Sequence, residues 1–172
     1  MIQDISPYRL DMAYRGTAPA PDDCFFSFRG EDVLLRDMGD GHRSLPSFRD
    51  LGHPAGKMES RAVFLFRAGR EPVYLLGQEV NGCRGLGYFP ICELKDVLPE
   101  WVFFAGATAL HLSRWYEGNR YCGRCGGRME RKPGQRTLAC PECGNTVYPG
   151  IAPVVMVAVT DGDRLLMTKY AD

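Results

Sequence analysis

Through the first ninety or so residues, apolar positions come in short runs broken by glycine, proline and acids, a spacing that suits strands rather than helices. Residues 1–23 show no period, and Thr17-Ala18-Pro19-Ala20-Pro21-Asp22-Asp23 reads as a turn-rich linker. Cys24-Phe25-Phe26-Ser27-Phe28-Arg29 predicts a strand, Gly30-Glu31-Asp32 a turn, and Val33-Leu34-Leu35-Arg36 its hairpin partner. Residues 37–57 are dense in Gly, Pro, Asp and Ser and predict a loop. A second hairpin is clearer: Ala62–Arg67 runs up, Ala68–Glu71 turns, and Pro72–Gly77 runs back.

From Glu93 the period lengthens. A short turn over 93–97 leads to Leu98-Pro99-Glu100, where proline followed by an acid suits a helix start. Trp101, Phe104, Ala105, Thr108, Leu112 and Trp115 then recur at three- and four-residue steps and predict one buried helical face, with His111 beside it. Gly118-Asn119 predicts the stop. Near the other end, Val154–Val159 is apolar on both faces, as in a central strand of a larger sheet. Asp161-Gly162-Asp163 turns it and Arg164–Lys169 returns. A buried strand needs neighbours, so 150–172 reads as the opening of a further domain, cut short. An isolated hairpin is marginal in water. The 151–170 hairpin is therefore expected to pack on a second chain, fold against the N-terminal module, or fray. Strand hairpins plus one long helix give an α+β class.

Composition narrows the classes. The chain has 172 residues, 45% hydrophobic and 24% charged, which is ordinary for a globular chain. Lys+Arg and Asp+Glu are both 21, so no global field draws it to nucleic acid or to a membrane. The start carries an acid and no apolar run, so no signal peptide is expected in these residues, and no apolar stretch approaches the ~20 residues that span a bilayer. Three of seven cysteines (Cys24, Cys83, Cys92) are scattered, which points to a reducing cytoplasm.

The other four cysteines carry chemistry. Cys122-Gly123-Arg124-Cys125 and Cys140-Pro141-Glu142-Cys143 are two Cys-x-x-Cys pairs with fourteen residues between them. Zn²⁺ takes four soft ligands in a tetrahedron, and each pair can present two thiolates from one tight turn. Gly126 and Gly144 follow the pairs and supply the positive φ that lets the chain turn back. The expected metal ligands are Cys122, Cys125, Cys140 and Cys143. With four protein ligands the Zn²⁺ has no open position, so it is expected to fold the segment rather than catalyse. A redox dithiol at Cys122/Cys125 would need a helix directly after Cys125, and no such pattern follows.

Three other features carry less. Asn81–Gly87 holds three glycines but lacks the following helix and the Gly-Lys-Ser/Thr of a phosphate loop, so it reads as a plain loop. His42 and His53 have no carboxylate or cysteine at ligand spacing and read as solvated. Between Arg120 and Arg136, six cations (Arg120, Arg124, Arg128, Arg131, Lys132, Arg136) face one acid, Glu130. They either offset the net negative charge of a four-thiolate zinc or grip a polynucleotide; few aromatics are present for base stacking, which favours the first.

The order of these motifs resembles the zinc-containing Nudix hydrolases of NADH pyrophosphatase type, which include enzymes that remove NAD caps from RNA. The resemblance rests on the helix ending in Trp115-Tyr116, on Tyr121-Cys122-Gly123 and Cys125-Gly126, on Cys140 and Cys143, and on Tyr148-Pro149 with Ile151-Ala152-Pro153 leading into the apolar run. It is specific over roughly 105–167 and loose before. It implies an N-terminal α+β domain (1–118), a zinc ribbon (119–149) and the first hairpin of a truncated Nudix domain (150–172). It implies a parent that hydrolyses the diphosphate of NAD(H), or of NAD-capped RNA, to nicotinamide mononucleotide and AMP, with a homodimer as partner arrangement. The family's Nudix box, Gly-x5-Glu-x7-Arg-Glu-x-x-Glu-Glu-x-Gly, is absent from these residues. Its glutamates hold Mg²⁺ or Mn²⁺. No catalytic residue is therefore assigned, that metal is expected only in the missing domain, and this chain alone is expected to be inactive. The alternative from the residues themselves is a free-standing zinc-ribbon module binding nucleic acid or protein.

Overall fold

The computed structural model describes residues 4–39, 41–52, 61–96, 98–151, 155 and 157–168. Strands β1 (Leu10–Asp11), β2 (Cys24–Phe26), β3 (Phe28–Arg29), β4 (Asp32–Gly39), β5 (His42–Ser44), β6 (Ala62–Ala68), β7 (Glu71–Leu76) and β8 (Leu86–Pro90) precede helix α1 (Glu100–Gly118). They form two sheets. One runs β1-β6-β7-β2; in the other, β4 pairs with β3 and β5 along one edge and with β8 along the other.

The predicted β6–β7 hairpin is present, with Gly69 in its turn at φ 63°. The predicted single strand 24–29 is instead split at Ser27 between the two sheets. Cys24–Phe26 pairs in parallel with Val73–Leu75, while Phe28–Arg29 pairs antiparallel with Asp32–Val33. Ser27 is fully buried, and a buried hydroxyl must find partners. It donates to the carbonyl of Gln78 at 2.9 Å and shares a hydrogen bond with the Tyr88 hydroxyl at 3.0 Å. Two further pairings were not legible: the short strand β1 on the edge of β6, and His42 in a strand rather than a loop. His53 lies outside the described residues. The 81–87 loop closes into β8 at Leu86, and the predicted turn near 93–97 is a 3-10 helix over Ile91–Asp96.

Because β6 and β7 are apolar at successive positions, both faces of their sheet are buried. Val63, Leu65, Val73 and Leu75 pack with Val33, Leu35 and the helix. Phe64, Tyr74 and Leu76 pack on the other side with Phe25, Leu34, Phe48 and Leu51. The helix presents Val102, Ala105, Gly106, Ala109, Leu110, Leu112 and Trp115 inward, a face rotated from the predicted stripe; Trp101, Phe104 and Thr108 are only partly covered. Small residues win because the helix lies close to its neighbours: a Cβ added at Gly106 would stand 3.2 Å from Ile91 Cδ1 and 3.4 Å from Phe26 Cε1. The helix ends as expected at Asn119, but by the Asn119 amide donating to the Trp115 carbonyl at 2.7 Å, not by a left-handed glycine.

Beyond the helix a small three-stranded sheet, β11-β10-β9, is built from β9 (Glu130–Arg131), β10 (Leu138–Ala139) and β11 (Thr146–Val147). A last ladder joins β12 (Thr160–Asp161) to β13 (Arg164–Leu165) around Gly162. The strand predicted over 154–159 is not formed among its described residues. Ile151, Val155, Val157, Leu166 and Met167 are 68–89% exposed. Among the described residues, these apolar side chains do not fold against the N-terminal module.

Candidate metal centre

The two Cys-x-x-Cys turns fold alike because the same backbone bonds close each one. Cys122 N–H donates to Gly127 O at 2.8 Å, and Gly126 N–H to Cys122 O at 2.9 Å. Cys140 N–H donates to Asn145 O at 2.8 Å, and Gly144 N–H to Cys140 O at 3.0 Å. Gly126 (φ 77°) and Gly144 (φ 72°) hold the left-handed position that a side chain would strain.

These turns bring the four predicted sulfurs together, all within 4.8 Å of one another. Cys122 and Cys143 Sγ are 3.6 Å apart, Cys125 and Cys140 Sγ 3.4 Å. A tetrahedron with Zn–S near ~2.3 Å has S···S edges of about 3.8 Å, so the donor set and its size fit Zn²⁺. Further donors point at one sulfur: Arg124 N–H lies 3.4 Å and Asn145 Nδ2 3.5 Å from Cys122 Sγ. The Arg124 and Cys125 backbone N–H groups, aided by Asn145 and against burial, hold the Cys122 thiol down at about 6. At Cys125 the Gly127 N–H pulls the same way. It is outweighed by hydrogen bonds to the sulfurs of Cys140, Cys143 and Cys122, which keep that thiol protonated up to about 12. Four sulfurs this close cannot all be thiolates without a cation between them. Among the described residues these four cysteines are the only group of three or more His, Cys, Asp or Glu close enough to share an ion.

The centre is joined to the N-terminal module in three ways. Met129 N–H donates to Arg120 O at 3.0 Å, tying the ribbon to the chain leaving the helix. Trp115 of α1, Met129, Leu138 and the buried Cys122 and Cys140 form one apolar cluster. Arg131 and Arg136 reach back to β6, Arg131 Nη1 donating to Ala62 O at 3.4 Å and Arg136 Nη2 to Leu65 O. Leu65 is the extra residue of a bulge between Phe64 and Phe66. Arg136 also lies 5.8 Å from the Tyr14 ring, and burial lowers its pKa. Arg120 pairs with Glu117 at 3.2 Å.

Neither sequence reading of the arginine run, charge compensation or polynucleotide groove, foresaw that two of its members would cap carbonyls of a strand some seventy residues earlier. Nothing in the local sequence signals an acceptor that distant. His111 is exposed, its Nε2 3.1 Å from Gly150 O, and none of the four sulfurs is its partner.

Residues 119–148 match the model of the NADH pyrophosphatase zinc ribbon domain. Over 143 residues the chain is 32% identical to the NAD-capped RNA hydrolase NudC of Deinococcus radiodurans, covering 83% of this chain and 48% of that protein. It is 35% identical over 103 residues to the same-named protein of Stutzerimonas stutzeri and 36% over 105 residues to that of Pseudomonas fluorescens. Each match covers 58% of this chain and 36% of the relative. The chain thus spans half or less of the length of these relatives. The matched ribbon domain and the four-cysteine cluster together support a structural zinc.

Proposed function

We propose, from the premise that this chain is a member of the NADH-pyrophosphatase-type Nudix family over its N-terminal module and ribbon, that it is the scaffold portion of an NAD(H) diphosphatase. The parent hydrolyses the pyrophosphate of NAD(H), or of NAD-capped RNA, to nicotinamide mononucleotide and AMP. Cys122, Cys125, Cys140 and Cys143 hold a structural zinc. Hydrolysis, with its Mg²⁺ or Mn²⁺, belongs to a Nudix domain whose box these 172 residues do not contain. One observation carries the reading: a ribbon of the NADH pyrophosphatase type, continuous with a helix and module similar to NAD-capped RNA hydrolases over 83% of this chain.

In this reading the divisions are 1–118, 119–149 and 150–172, and the last is the first hairpin of the Nudix sheet. That role accounts for apolar side chains such as Ile151 (89% exposed) and Met167 (81%) standing in solvent. A homodimer and a cytoplasmic location belong to the same proposal; among the described residues no helix is long and apolar enough to cross a membrane.

The test is an NADH assay with Mg²⁺, on this chain and on one extended by a Nudix box. Turnover by the extended chain only is expected; turnover by the short chain overturns the division of labour. A free-standing ribbon gripping nucleic acid or protein is the competing reading. It keeps Arg124, Arg128 and Lys132, but Arg131 and Arg136 are engaged with β6. It requires RNA binding that falls with salt and with Arg124→Ala or Arg128→Ala.

A further inference from the structure

The four sulfurs are not equivalent. Cys122 and Cys140 are 5% and 2% exposed and sit in the apolar cluster under Trp115, while Cys143 is half-buried and Cys125 stands in solvent. Oxidation of a thiolate is selected by access. An oxidant arriving from water therefore meets Cys125 first. The carboxylate of Glu142 lies 3.8 Å from Cys125 Sγ and opposes anionic oxidants, which leaves neutral peroxide as the fitting class.

Once Cys125 is oxidised, the neighbouring sulfur decides the outcome. Cys140 Sγ is 3.4 Å away, on the other turn; a disulfide needs about 2.05 Å, so a shift near ~1.4 Å joins them. Cys92 is exposed too, but it lies outside the cluster and its oxidation closes nothing there.

Building on the zinc reading above, we propose that the ribbon is a peroxide-responsive site in which Cys125 is the point of attack and Cys140 the resolving partner. In the zinc-loaded cluster, where the cation lets all four sulfurs ionise, the Cys125 thiolate attacks one oxygen of hydrogen peroxide; the O–O bond breaks, leaving a sulfenic acid and hydroxide. The Cys140 thiolate then attacks the Cys125 sulfur; the S–O bond breaks, the S–S bond forms, and a second hydroxide leaves. Two thiolates lose two electrons, peroxide gains them, and both hydroxides are protonated to water by the buffer. Cys122 and Cys143, left alone, no longer close a tetrahedron, and zinc is lost to solvent. The new bond joins the two turns to each other, so a dithiol reductant with Zn²⁺ restores the centre.

The experiment uses the zinc-loaded chain, with metal content measured first, and Cys92→Ser to remove the exposed background thiol. Hydrogen peroxide is added with a chromogenic zinc chelator present. Sulfenic acid is trapped with dimedone in parallel, and disulfides are mapped by peptide mass. Expected are release of the bound zinc together with loss of two thiols, dimedone mainly on Cys125, and a Cys125–Cys140 disulfide. A Trp115 emission change should accompany release and reverse with dithiothreitol and Zn²⁺. Dimedone mainly on Cys122, Cys140 or Cys143, a first disulfide within one turn, or zinc kept while peroxide is consumed overturns the proposal.

A second variant, Cys125→His, keeps a ligand that zinc accepts and peroxide spares. Zinc release from it should slow by roughly tenfold or more, the scale expected when the one thiolate open to water is removed, whereas Cys143→His should slow it far less. Equal slowing in both overturns the assignment. A chain that never binds zinc instead refutes the underlying zinc reading, which the initial metal measurement detects separately.

Discussion

Replacing Leu138 by alanine isolates the coupling between the metal centre and helix α1. Leu138 is 5% exposed on β10, in one cluster with Trp115, Met129, Cys122 and Cys140. The substitution deletes three carbon atoms from that cluster, about 0.8 kcal/mol each, or roughly 2.5 kcal/mol. This lies toward the low end of measured Leu→Ala losses, as suits a small cluster near the surface that can partly collapse. If zinc binding and ribbon folding are one event, the loss reappears in metal affinity. At 1.4 kcal/mol per factor of ten, affinity should weaken roughly 60-fold. The assay is competition for Zn²⁺ against a chelator of known affinity, with Trp115 emission read on the same samples. Leu138→Met, which conserves volume, should weaken it by less than about tenfold. Less than a threefold loss in Leu138→Ala would refute the reasoning, because the cluster would then be stable without the metal turns.

Other outcomes follow from the same contacts. Ser27→Ala takes one partner each from the part-buried Gln78 carbonyl and the Tyr88 hydroxyl and should cost about 1–3 kcal/mol in a denaturant melt. Arg136→Ala removes a charge-assisted bond to Leu65 O and the approach to Tyr14; about 1–2 kcal/mol should be lost, after the desolvation that burial already costs the guanidinium. Burial opposes ionisation of Asp50. Hydrogen bonds from the Ser47 backbone and hydroxyl and from Arg36 outweigh it, so its pKa lies below the usual 3.8. The unfolded chain then binds the proton more readily, so this stabilisation is complete above about pH 4 and lost as pH falls through the lower folded value. The stability gap between the parent chain and Asp50→Asn, read by thermal melts, should narrow over that window and not above it.

The parts of the fold legible in the sequence are those fixed by local signals. The β6–β7 hairpin follows from glycine between two apolar runs, the helix from its period and its proline start, and the four-sulfur cluster from two short turns each followed by glycine. Illegible parts depend on residues far apart. An apolar run through Cys24–Arg29 cannot show that Ser27 hands the chain from one sheet to the other, because that hinge is set by Gln78 and Tyr88. The predicted helix stripe shares Ala105, Leu112 and Trp115 with the buried face but holds Trp101, Phe104 and Thr108 where the structure buries Val102, Gly106, Ala109 and Leu110, because close packing against Ile91 and Phe26 selects Gly106 and its small neighbours. In the sequence Arg131 and Arg136 read as offsetting the charge of a four-thiolate zinc or gripping a polynucleotide; a bulge carbonyl on β6 is what engages Arg136. At Val155 and Val157 an apolar run alone did not make a strand, since the described residues offer no neighbouring strand to pair with.

The most direct measurement is metal and thiol content on one purified sample. Elemental analysis should find one zinc per chain. With zinc bound, a thiol reagent should react at full rate only with cysteines outside the cluster and slowly with the exposed Cys125; once a chelator opens the cluster, all four of its thiols should react at full rate. A metal-free chain that keeps the ribbon folded, or cluster thiols that react at full rate with zinc bound, would contradict the account.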